Sequence, residues 1–349
     1  MSRILLGRMA GSGVGHHLCR DLVEGLADSI LAHHIVDDRL IEEATVQTYP
    51  FAKSFPSCFP RSVAFDEVHA YRLSNMVLAV PSGLMWTPEG ILLQQSVGSL
   101  PRLYARPIAD TLRKPHPFDV PDPIVPFTTF SHYHALFDTL PQVLWARRLF
   151  ANVKVLLEKG HPPVLDSILD MAGVSRKDRL EGAGVLRVPS LILIPRWVNG
   201  GFIPRRDTTL LREAFSIRIP ESDHPAEKLY ISRTRSKNRR LGREKELETA
   251  LTERGFRIAY FEEISFPQQL AAIRAARILV APHGAGLANM IAGNPGLKVL
   301  ELLSSNWFNT CYAKLAVMLG FDYHFVPTVA HDGNFDIPVE DVLREIDRL

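Results

Sequence analysis

Three groups of residues in this 349-residue chain have the types and spacing to do chemistry. The first is Pro282-His283-Gly284-Ala285-Gly286-Leu287, a glycine turn between the aliphatic runs Ile278–Val280 and Lys298–Leu303. Such runs, bounded by turn formers, read as buried strands, and Leu287–Ala292 reads as a helix between them. A helix start offers unpaired N–H groups and partial positive charge, and glycines let an anion approach the backbone. The turn is therefore a candidate diphosphate seat, although an ordinary tight turn of an α/β domain would read the same way. The second group is Ser232-Arg233, which follows the short strand signal Leu229–Ile231. Arginine clamps phosphate oxygens through two directional donors. The third is His132-Tyr133-His134 with Asp138. On a helix His134 and Asp138 lie side by side, as an acid–base pair or as a structural hydrogen bond. Two histidines and a carboxylate also admit a metal reading, against which the helical pattern argues.

The basic run that continues from Arg233 holds seven Lys or Arg residues up to Lys245 and one acid, Glu244. They cannot all face one small ligand, so most are expected in solvent, with Arg239 a further phosphate candidate. No aromatics interleave them, which argues against a nucleic-acid groove.

The elements that must position these groups fall into two parts. After Ile219-Pro220-Glu221-Ser222-Asp223 the pattern is regular. Strands at Leu229–Ile231, Arg257–Phe261, Ile278–Val280, Lys298–Leu303 and Tyr323–Val326 alternate with helices at Glu244–Arg254, Pro267–Ala276, Leu287–Ala292 and Asn309–Leu319. That alternation implies a parallel sheet, in which ligands bind beyond the carboxyl ends of the strands. Ser232-Arg233 and Pro282-His283-Gly284 both stand there. The expected division is residues 1–218, residues 219–330 and a tail helix over 331–349. In the first part Val77–Val80, Leu84–Trp86 and Ile91–Leu93 are separated by Pro-Ser-Gly and Pro-Glu-Gly, the mark of hairpins and an antiparallel portion. Ile4–Leu6 and the cluster Gly11–Gly15 resemble a strand and a glycine loop, but lack the Lys-Ser/Thr of a phosphate-binding P-loop. Pro141 is expected to kink or restart the helix that carries His134.

Composition narrows the class. Hydrophobic residues make up 46%, enough for buried cores, and the net charge of +2 gives no bulk attraction to nucleic acid or membrane. Cys19, Cys58 and Cys311 are odd in number and far apart, which suits a reducing compartment. No apolar run approaches the roughly 20 residues that span a bilayer. The expectation is a soluble cytoplasmic protein, with peripheral contact at the inner face of a membrane left open. Oligomeric state is not legible.

Taken together, Tyr230-Ile231-Ser232-Arg233 with its basic loop, HYHALFDTLPQ around His134 and Asp138, and PHGAGLANMI followed by PGLKVLEL resemble glycosyltransferase family 61. That family contains plant xylosyl- and arabinosyltransferases, animal O-linked GlcNAc transferases and bacterial proteins of surface-polysaccharide clusters. Ser131 and Arg243 stand where the family often has Asn, departures that bear on the acceptor class more than on the fold. The resemblance implies an α/β protein of two Rossmann-like domains facing across a cleft. It implies inverting transfer from a nucleotide sugar, UDP-linked by family habit, to a glycan or other hydroxyl acceptor, with no obligatory metal or cofactor. Independently, no Asp-x-Asp occurs in the chain. Backbone N–H groups from Gly284 to Leu287, with Ser232, Arg233, Arg239 and His283, would then hold the diphosphate. Glu301, read as ending its strand, would hold ribose hydroxyls or stand as a surface carboxylate. Asp138 and His134 would take the acceptor's proton. A catalytically silent nucleotide- or sugar-binding protein would keep the same turn. A hydrolase is disfavoured because the Gly-x-Ser-x-Gly elbow is absent.

Overall fold

The computed structural model describes residues 31–48, 62–91, 93, 113–129, 131–195, 202–236, 241–304, 309–331 and 334–349. Ile4–Leu6, Gly11–Gly15 and Arg239 lie outside them. The chain is mixed α/β and forms two compact units, Met1–Thr45 with Ala64–Val198, and Val46–Val63 with Asn199–Leu349.

The sheet of unit 1 is eight-stranded and runs β1 (Ile35–Glu42), β4 (Val68–Ala79), β10 (Val185–Leu193), β7 (Ile124–Pro126), β8 (Lys154–Glu158) and β9 (Arg179–Gly182). Two short strands, β5 (Leu84–Trp86) and β6 (His116–Pro117), pair with β4 and β10, while β2 (Thr45–Thr48) and β3 (Ser62–Phe65) form a separate ribbon. The long β4 is antiparallel to β1, β10 and β5. The expected hairpin is present: Val77 pairs with Trp86 and Ala79 with Leu84, and Gly83 takes the left-handed φ of 71° that the turn requires. From β10 through β7 and β8 to β9 the pairing is parallel. Leu73, Met76, Leu78, Ile124, Leu156, Val188 and Leu191 form one buried cluster across this sheet.

After β7 comes α1 (His132–His134), a π-helical turn over Ala135–Thr139, and α2 (Leu140–Leu149). The expected disturbance at Pro141 takes this form. Pro141 has no N–H for the carbonyl of Phe137, so the turn before it widens instead of breaking. Ala135, Leu136, Phe137, Leu140 and Val143 bury the inner face. Helix α3 (Pro163–Met171) follows β8.

Unit 2 has a seven-stranded sheet ordered β12 (Leu241–Gly242), β17 (Asn334–Asp336), β16 (Asp322–His331), β15 (Lys298–Ser304), β14 (Ile278–Pro282), β11 (Lys228–Ile231), β13 (Arg257–Ala259). From β13 to β16 every pairing is parallel, and β17 runs antiparallel to β16. In chain order the parallel strands lie 2-1-3-4-5, so the winding reverses between β11 and β14. Tyr230, Val280 and Leu300 are in register and share a core with Leu247 and Leu251 of α5 (Glu244–Glu253) and with Val339, Val342 and Ile346 of α8 (Val339–Ile346). Side chains alternate along a strand, so Ile231 and Glu301 face the other way.

Helix α4 (Arg205–Ser216) belongs to this second unit. Arg212 donates to the Gly293 carbonyl at 2.9 Å, and Phe215 packs edge-on against Phe266 of α6 (Phe266–Ala275). The polar stretch Ile219–Asp223 thus joins two elements of one unit. The helix expected over Leu287–Ala292 is a 3₁₀ run over Ala285–Ala292. A 3₁₀ turn rises about 2.0 Å per residue against about 1.5 Å for an α-helix, so a short crossover from β14 to β15 gains length by tightening. Helix α7 (Cys311–Met318) stands where expected, whereas the tail expected as a helix over 331–349 forms β17 before the C-terminal α8. Among the described residues no helix is long and apolar enough to cross a membrane.

Candidate active site

The winding reversal in unit 2 brings together the carboxyl ends of β11 and β14. On the β11 side, Ser232 is buried and Arg233 partly so. Both are held by α5. Glu244 Oε1 accepts the Arg233 N–H at 2.7 Å and the Tyr230 hydroxyl at 2.9 Å, and Glu248 accepts the Ser232 hydroxyl at 2.5 Å. The basic loop is thereby anchored at its start by two carboxylates one helical turn apart. Glu244 is only 3% exposed, and burial is the foremost cause that pushes its carboxyl above the ordinary value, against the hydrogen bonds from Arg233 and Tyr230.

This has a consequence for stability. A raised folded value means that the folded chain binds the proton more readily than the unfolded one. The contribution is complete below the ordinary value of 4.5 and is lost as pH rises through the folded value. Glu244→Gln keeps a carbonyl acceptor for the Arg233 N–H and removes the titration. The variant is expected to show a flatter decline in urea midpoint than the parent as pH rises above 4.5. Parallel profiles would mean that Glu244 ionises as easily folded as unfolded.

On the β14 side, Gly284 is buried, and its φ of 174° is extended backbone open to any residue. Space is what demands glycine here. A Cβ at Gly284 would lie 2.2 Å from Nη1 of Arg233, whose Nη1 also donates to the His283 carbonyl at 3.4 Å. Arg233 therefore lies across the glycine turn, and two candidates from segments fifty residues apart form one feature. A Cβ at Gly286 would stand 3.3 Å from both Ile231 and Phe261, which fits close packing of the turn on β11. Ala285 is exposed. Leu287 is corrected as a donor: its N–H bonds the Gly284 carbonyl at 3.0 Å and its side chain is wholly buried in the core. Gln269 of α6 steadies the run by accepting from Asn289 at 2.8 Å and donating to Phe261 and Ile264 carbonyls.

Glu301 also differs from expectation. It lies inside β15, fully buried, neither at a strand end nor on the surface. The strand continues to Ser304 because β16 pairs with it as far as Thr328. One carboxylate oxygen meets His283 Nδ1 at 2.5 Å and the other accepts the Tyr323 hydroxyl. Each oxygen has a partner within the protein, and none of the side chain is exposed where a ribose hydroxyl could meet it. The His283 ring packs at a tilt on Tyr312, 5.0 Å between centroids.

In unit 1, His134 and Asp138 do meet. Nδ1 of His134 lies 2.5 Å from Asp138 Oδ2, with the side chains 29% and 30% exposed. The helix is anchored after β7 by the Thr139 hydroxyl on the Thr128 carbonyl, at 3.0 Å, and by Gln142 on the Ile194 carbonyl, at 3.0 Å. Tyr133 packs edge-on against His134, 5.6 Å between ring centroids. The pair stands in the first turns after the carboxyl end of a parallel strand, at the widened π-helical turn. Among the described residues no three His, Cys, Asp or Glu side chains converge as a metal site would need.

Sequence reading missed Tyr323, Glu248 and the anchoring role of Glu244. One signal was present: a glutamate inside the aliphatic run VLELL must find buried partners, because an isolated buried charge is too costly.

The fold and site together define an α/β protein with an arginine across a glycine turn at a sheet reversal and a partly exposed His134–Asp138 pair. Residues 132–300, which contain His134, Asp138, Arg233 and the glycine turn, match the model of the family Glycosyltransferase 61. This stretch, just under half of the chain, thus resembles the domain of a family 61 glycosyltransferase. It is also similar to Beta-1,2-xylosyltransferase RCN11 of Oryza sativa subsp. japonica, with 32% identity over 66 residues. The match covers 19% of this chain and 12% of the rice protein.

Proposed function

We propose that this protein transfers a sugar, with inversion and without a metal, from a nucleotide sugar of the UDP class to a hydroxyl of a glycan. The observation that carries the reading is Arg233 lying across Gly284 where the winding of the unit 2 sheet reverses. This is where an α/β sheet takes a ligand, and it offers a guanidinium and the first N–H groups of the 3₁₀ run together. Both parts of the fold would be Rossmann-like, in a GT-B-like arrangement.

The acceptor hydroxyl oxygen forms a bond to the anomeric carbon as the bond from that carbon to the β-phosphate oxygen breaks. The nucleoside diphosphate departs with its electron pair, stabilised by Arg233 and the turn. The acceptor's proton goes to Asp138, with His134 beside it. A cytoplasmic protein of surface-polysaccharide synthesis, touching the inner face of a membrane, suits such donors and acceptors.

Calorimetry with UDP in the presence of EDTA tests the donor side, and retained binding is the expected result. Loss of binding on chelation would overturn the metal-free mechanism. A panel of nucleotide sugars, read by thermal shift and slow donor hydrolysis, then identifies the sugar. Binding without any turnover would mark a silent binding protein instead.

A further inference from the structure

We propose that Arg235, lying on the ring of Tyr260, is a stacking platform for the base of the donor nucleotide, an inference that rests on the nucleotide-sugar reading. Two segments at the carboxyl edge of the unit 2 sheet, after β11 and β14, carry the feature formed by Arg233 and Gly284. Beside β11 on its other side stands β13, where Ala259 pairs with Ile231, and the residue after Ala259 is Tyr260. Arg235 crosses from the β11 loop to that ring, with its guanidinium carbon 3.8 Å from the ring centroid. A guanidinium standing on edge would bring a nitrogen about 1.3 Å closer still, inside van der Waals contact, so the group lies flat. Its Nη1 pairs with the Glu263 carboxylate. The N–H bonds of a guanidinium lie in its plane, so Glu263 is met along an edge and fixes the orientation. The same carboxylate offsets the charge, which makes Arg235 a poor second phosphate clamp beside Arg233. What it offers is its plane. Tyr260 covers one face and Glu263 one edge, while 48% of the side chain stays exposed, which leaves the outer face open. Bases stack on such planes with little regard to their identity. The Ser236 N–H donates to the Arg233 carbonyl at 2.9 Å, so Arg233 and Arg235 leave one tight turn. A nucleoside diphosphate has two ends to hold: Arg233 meets the phosphates at the crevice and Arg235 the base, over β13.

Two probes separate a base platform from a phosphate contact. Inorganic pyrophosphate has no base, and dihydrouridine diphosphate has a base that is no longer flat. By calorimetry on the full chain, Arg235→Ala is expected to weaken UDP about five-fold or more, the lower end for one stacked base. Its affinity for pyrophosphate should stay within about two-fold of the parent's, because Arg233 and the glycine turn are intact. The parent is expected to prefer UDP to the dihydro analogue, and the variant to bind the two alike. Arg235→Lys keeps a charge beside Glu263 but loses the plane, so it should behave as Arg235→Ala does. Arg235 is exposed in a turn, so neither substitution threatens the fold. Equal losses for UDP and pyrophosphate would make Arg235 a phosphate contact and overturn the proposal. Undiminished UDP binding in Arg235→Ala, or parent-like binding in Arg235→Lys, overturns it as well. Those results leave the transfer reading standing, since the parent still binds the nucleotide. A parent that binds no nucleoside diphosphate at all overturns that reading and the platform together.

Discussion

Asp138→Asn is expected to lower sugar transfer by about 10²–10⁴-fold, the range for a positioned acid or base, with nucleotide affinity almost unchanged. The carboxylate accepts from His134 Nδ1 at 2.5 Å. An asparagine in the same rotamer keeps that bond through its carbonyl oxygen and keeps the shape. What disappears is the ability to take a proton from the acceptor hydroxyl. In the proposed mechanism nucleotide affinity would come from Arg233 and the glycine turn, so competition by UDP should report the same affinity in parent and variant. Stability should hardly respond, because a half-exposed pair one helical turn apart contributes about 0.2–0.5 kcal/mol. His134→Ala separates the roles within the pair. If the imidazole is the base and Asp138 only orients it, the histidine change costs at least as much as the asparagine change. Near-normal transfer by Asp138→Asn to the true acceptor would remove the residue from the mechanism.

That pair was legible before any coordinates because its contact is local. A spacing of four on a helix fixes the two side chains together, and even the widened turn ahead of Pro141 does not separate them. The parallel strands of unit 2 were legible for a similar reason, since each is a short aliphatic run between breakers. What the sequence hid depends on neighbours distant in the chain. Glu301 stands inside an aliphatic run, but its partners are distant in the chain: His283 directly follows β14 and Tyr323 lies on β16. The Glu244 anchor is hidden too, because an acid within a basic stretch suggests a solvated charge until Tyr230 and the Arg233 N–H are brought to it. The crossover after Gly284 offered an α-helical pattern but is a 3₁₀ run, in which the same residues reach farther than in an α-helix.

Arg233→Ala is expected to weaken donor binding and turnover by about 10–150-fold, the equivalent of about 1.5–3 kcal/mol for a lost charge-assisted hydrogen bond. The melting temperature should stay close to that of the parent. The β11 end is fixed through the Arg233 backbone N–H on Glu244, which an alanine retains, whereas the guanidinium meets the His283 carbonyl and Ser236 at the long distances of 3.4 and 3.2 Å. Gly284→Ala tests the same feature from the other side. The backbone there is extended and accepts an alanine, but the new methyl would occupy the position of Arg233 Nη1. The displaced atom is the far end of a flexible side chain, so the guanidinium moves and the fold survives. Gly284→Ala should therefore reproduce most of the loss seen with Arg233→Ala. Combined, the two changes should cost hardly more than Arg233→Ala alone, because both remove one interaction. Losses that simply multiply in the double variant would show that Gly284 and Arg233 serve the donor independently. A large fall in melting temperature with unaltered kinetics would assign Arg233 to the fold rather than to the phosphate.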